Sequence, residues 1–391
     1  MRRPSLGAAP VRAGAGLVVA VLLVALNLRI AVTSLGALLD RLGDQGVGAT
    51  TQSVLSSLPV LCFAVVGATA LALTRRVGAH RGLGIALAVL VAGLVLRVVG
   101  GTAALVAGTL VACAGIALAN VLIPVVVKEH FPDRVGAMTG AYSGVLSVGS
   151  ALGAALTVPI ADAAGGWRAG LGSWTLVAVA AAIAWAPYAR RGDHRRTAHR
   201  GAPMWRSPTA WAVTVLFGTQ SIYAYVMMGW LPSMYHDAGF SDRQSGLFLA
   251  ACVAISVPVF LLAPSLAGRL RHQGHLVAVL TVVTVLGFGG MWLDPVPGAW
   301  VWAALIGAGS AVFPVVLAFF GLRTMTAADT ATLSGMAQSI GYLIAWGGTF
   351  LTGVLHDVSG SWSLPLVLLV LLGVVQTALG YVAGRPVRIS T

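Results

Sequence analysis

Arg29 lies deep inside the first long apolar segment of the chain, where an ionisable side chain is costly and therefore suggests function. All eleven acidic residues fall in loops or near segment ends, so Arg29 has no evident carboxylate partner. An unpaired buried cation needs compensation from a water-filled cavity, from hydrogen bonds to Asn27 and Thr33, or from an anionic ligand. We interpret Arg29, with Asn27 and Thr33 beside it, as a substrate-binding cation.

Three other charged residues are candidates for gating. Arg97 lies three residues before the short turn at Gly100–Gly101, so its side chain either snorkels to lipid headgroups or takes part in a gate. Asp162 and Asp357 each begin the same D-x-x-x-x-W pattern, at the outer end of two corresponding apolar segments. The pattern indicates related positions in two halves of the chain.

Polar and aromatic side chains recur at helical spacing along one side of several further apolar segments. In a membrane bundle such stripes face the interior, because lipid offers no hydrogen bonds. They serve either as contacts between helices or as cavity lining, and the sequence leaves both roles open. The candidate substrate-binding residues on these stripes are Asn120, Tyr142, Ser143, Gln220, Tyr223, Trp230, Gln338, Tyr342 and Trp346.

Composition explains why these segments must lie in a membrane. The chain has 391 residues, of which 58% are hydrophobic and 9% charged, whereas a soluble protein carries about 25% charged residues. Apolar runs of spanning length predict an all-α membrane protein with twelve transmembrane helices. The predicted helices lie near 14–38, 51–74, 82–99, 102–127, 136–160, 169–188, 208–232, 244–266, 276–293, 299–321, 331–356 and 364–384.

The distribution of positive charge predicts the orientation. If both termini are cytoplasmic, 19 of the 24 Lys and Arg residues fall in cytoplasmic segments and 3 in outer loops, while Arg29 and Arg97 lie within helices. This bias is the one that the positive-inside rule describes. The arginines punctuate apolar segments instead of lining one face, so the net charge of +13 does not indicate nucleic-acid binding.

A shift of 195 residues overlays the two halves of the chain and predicts an internal repeat. We expect an N-terminal six-helix bundle at 1–188, a basic cytoplasmic linker at 189–206 and a C-terminal six-helix bundle at 207–391. Two such bundles transport a solute by rocking about a site near the membrane midplane. We expect the amides of Gln220 and Gln338 to face one another at that site.

Short motifs also carry a family resemblance. They are Asn27–Ala31, Leu58–Phe63, Ala119–Pro124 with Val127–Lys128, Phe131–Arg134, Met138–Ser143, Gly166–Arg168, Gln220–Ser221 and Gly229–Pro232. Together they resemble the cyanate and nitroimidazole permease branch of the major facilitator superfamily. The resemblance implies the two-bundle, twelve-helix major facilitator fold, a small and often anionic or nitro-bearing substrate, and a place near the transport path for Asn27, Arg29 and Asn120.

One loop departs from the wider superfamily. Its loop between the second and third helices carries an acid before G-R-[RK], whereas this chain has no acid in Ala72–Gly78. The charge-relay role of that loop therefore does not transfer to this chain.

The sequence thus predicts a secondary active transporter of a small anionic or polar nitrogen-containing solute in a bacterial cytoplasmic membrane. A multidrug or amphipathic-compound efflux pump of the same fold is the alternative, supported by the aromatic candidates. No cluster of nucleophile, base or metal ligands lies at membrane depth, so we do not expect an enzyme. The expected partners are the solute and the lipid bilayer, with a coupling ion such as a proton left open, and we expect a monomer.

No cofactor is expected either. Cys62, Cys113 and Cys252 all lie in apolar runs, and no pair has the close spacing typical of a metal site. We therefore expect neither a metal nor a disulfide.

Overall fold

The fold is helical throughout the part of the chain that the structure, a computed structural model, describes: residues 14–190 and 204–389. Short turns and two single-turn 3₁₀ helices connect the α-helices. The helices are α1 Ala15–Gly36, α2 Leu39–Asp44, α3 Ala49–Val77, α4 Ala79–Val99, α5 Thr102–His130, α6 Val135–Ala163, α7 Trp167–Arg190, α8 Pro208–Asp237, α9 Asp242–Arg269, α10 Gly274–Leu293, α11 Ala299–Gly309, α12 Val312–Leu322, α13 Ala327–Ser359 and α14 Ser363–Ala383.

Local capping fixes where several helices begin. At α9, Ser241 and Gln244 form a capping box, and at α13 Thr326 and Asp329 form another. Each box satisfies backbone N–H groups that the first helical turn leaves unpaired. These caps explain why α9 and α13 begin two and four residues before the predicted starts.

The twelve predicted segments all correspond to helical structure, which confirms the predicted fold class. Eleven spans among the described residues are long and apolar enough to cross a membrane. Of the twelve predicted segments, the one outside that set is α13, which has 33 residues but carries polar side chains such as Ser334, Gln338 and Thr352. Its polarity suits a helix packed inside the bundle instead of against lipid.

The tenth predicted segment is not the continuous helix that we expected. It is interrupted between α11 and α12 at Ser310–Ala311. Pro314, in the first turn of α12, has no N–H to donate to the Ser310 carbonyl oxygen. That oxygen accepts hydrogen bonds from the Phe313 backbone N–H (3.1 Å) and from the Gln220 side chain of α8 (3.3 Å).

The helices before and after the basic linker pack mainly among themselves. In the first half α1 packs on α6 and α7, and α4 on α5 and α7; in the second, α8 packs on α13 and α14, and α10 on α11 and α14. The halves meet where α3 packs on α13, α6 on α9, and α12 on α5 and α6. Residues 191–203 of the predicted linker lie outside the described residues, so its boundaries stay a prediction.

The α4–α5 pair approaches so closely that glycine is required at the contact. A Cβ atom on Gly93 would lie against the backbone of Ala112, and one on Gly108 against the backbone of Arg97. Contacts with backbone atoms cannot be relieved by a rotamer change, so a side chain at either position forces the helices apart.

We expect Gly93→Ala to destabilise the protein by about 1–3 kcal/mol through overpacking, despite the better helix propensity of alanine. Gly172→Ala in α7 is the matched control, because its Cβ would meet only Val98 methyl groups, at 3.8–4.0 Å. The thermal unfolding temperature in detergent should fall for the first variant and stay level or rise for the second. Equal unfolding temperatures for the two variants would contradict the assigned helix contact.

Candidate functional site

A cavity of about 1030 Å³ lies between the two halves of the protein. Its walls come from α1, α3, α5 and α6 of the first half and from α8, α9 and α13 of the second. Among the described residues that line it, Arg29 is the only one with a formal charge. The cavity is therefore a largely apolar space with one cationic group in its wall.

The two ends of the helix bundle differ in charge, and the cavity is nearer one of them. At one end, which we call the basic end, α3, α5 and α9 finish, and their last turns carry Arg75, Arg76, Lys128 and Arg269. α1 starts at the basic end and lines the cavity only from Arg29 onward. The cavity therefore lies nearer the opposite end of the bundle.

At the basic end the halves are in contact through a glycine stripe on α6. A Cβ on Gly136 would lie against the Pro264 carbonyl oxygen of α9, and one on Gly140 against that of Leu261. The two backbones thus touch with no side chain between them, as small residues permit in membrane helices. This contact closes the basic end below the cavity.

Arg29 projects from α1 into the space between the halves and is half-buried. Its guanidinium carbon lies 5.8 Å from the ring centroid of Phe313 on α12, a cation–π distance. The buried hydroxyl of Tyr225 on α8 lies close enough to the guanidinium to feel its charge. Within the described residues this hydroxyl completes no hydrogen bond. No carboxylate whose side chain the structure describes pairs with Arg29.

The residues expected to compensate Arg29 within α1 bond elsewhere. Asn27 donates to the carbonyl oxygens of Leu23 (2.8 Å) and Val177 (3.3 Å), so it joins α1 to α7 and lies outside the cavity lining. Thr33 does line the cavity, but its hydroxyl donates to the Arg29 backbone oxygen (3.0 Å). Hydrogen bonds to Asn27 and Thr33 therefore do not compensate the charge of Arg29. A water-filled cavity and an anionic ligand remain as the possible compensation.

A small recess of about 70 Å³ adjoins the main cavity at Arg29. The recess is lined by the hydroxyl-bearing residues Ser147 and Ser150 of α6, Ser256 of α9 and Ser310 between α11 and α12. The hydroxyls of Ser147, Ser256 and Ser310 donate to backbone carbonyls of their own chain segments (3.3, 2.7 and 2.6 Å), and their oxygen lone pairs remain able to accept. Each hydroxyl can also rotate to donate to a ligand. The recess therefore combines one cation with several adaptable hydrogen-bonding groups.

Aromatic side chains form much of the remaining wall. Trp230 and Trp346 line the cavity as proposed from the sequence, and the Trp346 ring stacks on Phe350 with centroids 5.9 Å apart. Tyr342 is buried behind this wall, 5.3 Å from the ring of the lining residue Phe63. These rings offer flat apolar surface to a bound solute.

Two other candidates belong to a polar network inside the second half. Gln220 accepts a hydrogen bond from Gln376 of α14 (3.2 Å) and donates to the Ser310 carbonyl oxygen. Tyr223 donates to the carbonyl oxygen of Leu369 (2.5 Å). Both side chains are buried and neither lines the cavity, so this geometry fits helix–helix contacts.

Hydrogen bonds between the halves occupy Gln338. Its amide donates to the Asn120 backbone oxygen of α5 (3.0 Å). Lys128, two turns further along α5, makes a second such bond, to the Gly321 backbone oxygen of α12 (2.9 Å). Our expectation that Gln220 and Gln338 face one another is wrong, because each amide is held by a different helix. Neither Asn120 nor Gln338 lines the cavity.

On α6, the residues that reach the site lie further along the helix than the predicted Tyr142 and Ser143. Tyr142 and Ser143 are buried, and within the described residues neither hydroxyl has a hydrogen-bond partner. Neither residue lines a cavity, whereas Ser147 and Ser150, one and two turns further along, line the recess.

Arg97 is fully buried and does not snorkel to the headgroups, so that expectation is wrong. Its guanidinium donates to the backbone oxygens of Ala31 (2.9 Å) and Leu171 (3.3 Å) and to the Ser34 hydroxyl (3.4 Å). These contacts join α4 to α1 and α7 within the first half. They are suited to fixing that bundle, whereas a gate must contact both halves.

The two aspartates of the repeated pattern make different contacts. Asp162 forms a bidentate ion pair with Arg41 of α2, inside the first half. Asp357 is exposed. Trp362, the tryptophan of the same pattern, donates its indole N–H to Asp237 of α8 (2.8 Å) and not to Asp357. The repeated sequence pattern therefore does not correspond to one repeated contact.

Several residues of the site were missed by sequence reasoning. On α8 the cavity is lined by Tyr225, Met228, Gly229 and Trp230, of which the sequence predicted only Trp230. The available signal was a tyrosine and a methionine at i and i+3, a helical spacing.

Comparison with known proteins places this geometry in context. The chain matches the Major Facilitator Superfamily over residues 16–346. It is similar to a 2-nitroimidazole transporter of Escherichia coli (strain K12), with 36% identity over 377 residues, 94% of this chain and 95% of that one. It is also similar to the cyanate transport protein CynX of that strain, with 30% identity over 351 residues, covering 87% and 90%. Among solved structures, the proton:xylose symporter XylE has a TM-score of 0.76 and 13% identity, covering 93% of this chain and 94% of that one.

Proposed function

The chain belongs to the Major Facilitator Superfamily, and from this premise we propose that it carries a small anionic or polar nitrogen-containing solute by alternating access. The observation that supports this proposal is the position of Arg29. It stands between a large apolar cavity and a small recess lined by serines, with no carboxylate among the described lining residues.

An anion or a nitro group would complete the hydrogen bonding of this site. A solute oxygen placed in the recess accepts charge-assisted hydrogen bonds from the guanidinium and a further bond from the Ser150 hydroxyl. The Ser147 hydroxyl adds another when it rotates away from the Ser143 backbone oxygen. The apolar walls lower the local dielectric and strengthen the attraction to Arg29. The recess of about 70 Å³ has room for a group of a few atoms, since one water occupies about 30 Å³ of liquid.

The names of the relatives agree with this chemistry. One is named for 2-nitroimidazole, which combines a nitro group with a flat ring, and the other for cyanate, a small anion. We infer that the charged or nitro group enters the recess, while a ring, where the solute has one, lies against Tyr225 and the other aromatic side chains of the main cavity.

The asymmetry of the two ends supports alternating access. The halves touch at the basic end through α6 and α9, and the cavity lies on the other side. With the basic end in the cytoplasm, as the positive-inside rule favours, both termini are cytoplasmic and this conformation faces outward. Because the two E. coli relatives are bacterial, we propose the bacterial cytoplasmic membrane as the location. One chain supplies both cavity walls, so we expect a monomer.

Efflux of amphipathic compounds is the second candidate, and the cavity itself favours it. At about 1030 Å³ it reaches the upper end of the range for drug-sized ligand sites, about 300–1,000 Å³. Aromatic residues including Phe63, Trp230, Trp346 and Phe350 line it. A cationic drug, however, would meet the positive charge of Arg29 without a carboxylate among the described lining residues.

Ligand binding separates the two candidates. We expect small anions and nitro-heteroaromatics to raise the thermal unfolding temperature of the purified protein, because binding to the folded state adds about 2.7 kcal/mol at 100 times Kd. Cationic dyes of similar size should produce no shift at the same concentrations. A panel in which only the cationic dyes stabilise the protein would favour the efflux pump and contradict the proposed solute class.

A further inference from the structure

Three potential metal ligands meet at the basic end, away from the cavity. His80 lies in the first turn of α4, and Glu129 and His130 are the last residues of α5. α4 and α5 form a hairpin whose turn is at the opposite end, so residues fifty positions apart become neighbours. Neither cavity includes any of the three residues.

The ligand atoms are close enough to share one ion. The Nε2 atoms of His80 and His130 are 2.9 Å apart, and His80 Nε2 is 3.6 Å from a carboxylate oxygen of Glu129. One ligand atom from each residue lies within 4.8 Å of the other two. Zinc bonds of about 2.0–2.2 Å in tetrahedral geometry put two ligand atoms roughly 3.3 Å apart, so small side-chain shifts suffice.

The surrounding structure holds one ligand and leaves the others reachable. The His80 ring is buried and stacks on Trp185 of α7, with centroids 5.6 Å apart and planes at 10°. The Trp185 indole donates to the His80 backbone oxygen (2.9 Å). Glu129 is exposed and His130 half-buried, so an ion has a path from the aqueous side.

We propose that His80, Glu129 and His130 bind one divalent transition-metal ion of the Zn²⁺ type at the basic end. Two imidazoles and one carboxylate are a ligand set that suits Zn²⁺ and leaves a fourth position for water. The ion joins the start of α4 to the end of α5, next to the turn that leads into α6. It thereby fixes the part of the first half from which the glycine stripe of α6 extends.

The test is metal binding to the full-length protein purified without a polyhistidine tag and stripped of metal. With Zn²⁺ as the probe, competition against a chromogenic chelator should show one saturable site per chain. His130→Gln and Glu129→Gln should each weaken binding by at least about tenfold, the lower bound seen even for outer-shell partners. Their unfolding temperatures without metal show whether the variants are folded.

The matched control is His272→Gln with His275→Gln, a histidine pair at the same end whose ring centroids are 5.4 Å apart. Among the described residues this pair belongs to no group with three metal ligands, so the double variant should keep the site. Co²⁺ added to the unaltered protein should show the visible absorption of tetrahedral coordination, a readout that needs no variant. Absence of a saturable Zn²⁺ site, or a site lost only in the control variant, overturns the proposal.

Discussion

Arg29→Gln is expected to abolish transport while the protein still folds and inserts. Glutamine keeps hydrogen-bonding capacity but removes the charge that faces the serine-lined recess. A hydrogen bond to a charged group contributes about 1.5–3 kcal/mol, which corresponds to roughly 10- to 140-fold in affinity. Uptake of a solute identified in the binding panel, measured in proteoliposomes, should fall by at least about tenfold.

Two further variants make this result specific. Arg41→Gln removes an arginine of the opposite end that pairs with exposed Asp162, and exposed pairs contribute little, so transport should persist. Arg29→Lys keeps the charge without the planar fork and should retain part of the activity. Unchanged uptake by Arg29→Gln would rule out Arg29 as the ligand cation, whatever its effect on stability.

The sequence predicted the helices well because their signal is local. A membrane helix needs about 20 apolar residues, and nothing distant alters that requirement. The depth of Arg29 was readable for the same reason, since depth follows from counting residues along one helix. Arg29, Thr33, Trp230 and Trp346 accordingly line the cavity.

The face that each helix turns toward the cavity was not predictable in the same way. Lipid and a packed bundle interior are both apolar, so hydrophobicity hardly distinguishes the faces of a membrane helix. On α8 this ambiguity led us to Gln220 and Tyr223, whereas Tyr225 and Met228 line the cavity. Rotation about the helix axis depends on neighbours such as Gln376 of α14, which no local pattern reveals.

Interaction partners that are distant in sequence account for the remaining differences between the predicted and the observed structure. The burial of Arg97 depends on three acceptors in α1 and α7, and a short outer turn alone suggested snorkelling. Likewise, the approach of His80 to His130 requires the α4–α5 hairpin to be in place. Such contacts arise from tertiary packing, and the spacing of residues along the sequence does not predict them.

Gly140→Val is expected to disable the transport cycle by opening the basic end. A side chain at Gly140 lies against the backbone oxygen of Leu261, and no rotamer avoids it. Overpacking costs about 1–3 kcal/mol. Under the proposed alternating access, that cost falls only on the state in which α6 and α9 are in contact at Gly140. The equilibrium should therefore move toward the other state by roughly 5- to 140-fold.

Cysteine labelling measures this shift directly. In a chain whose native cysteines are replaced by alanine, Ser265→Cys reports the α6–α9 contact, and Ser150→Cys reports the cavity wall. With Gly140→Val, labelling of the first position should rise and labelling of the second should fall, together with lower uptake. Gly347→Val on α13 is the control, because a Cβ there meets nothing within 4 Å. The same labelling pattern in both variants would show that the glycine stripe does not close the basic end, since only Gly140 lies in the contact between α6 and α9.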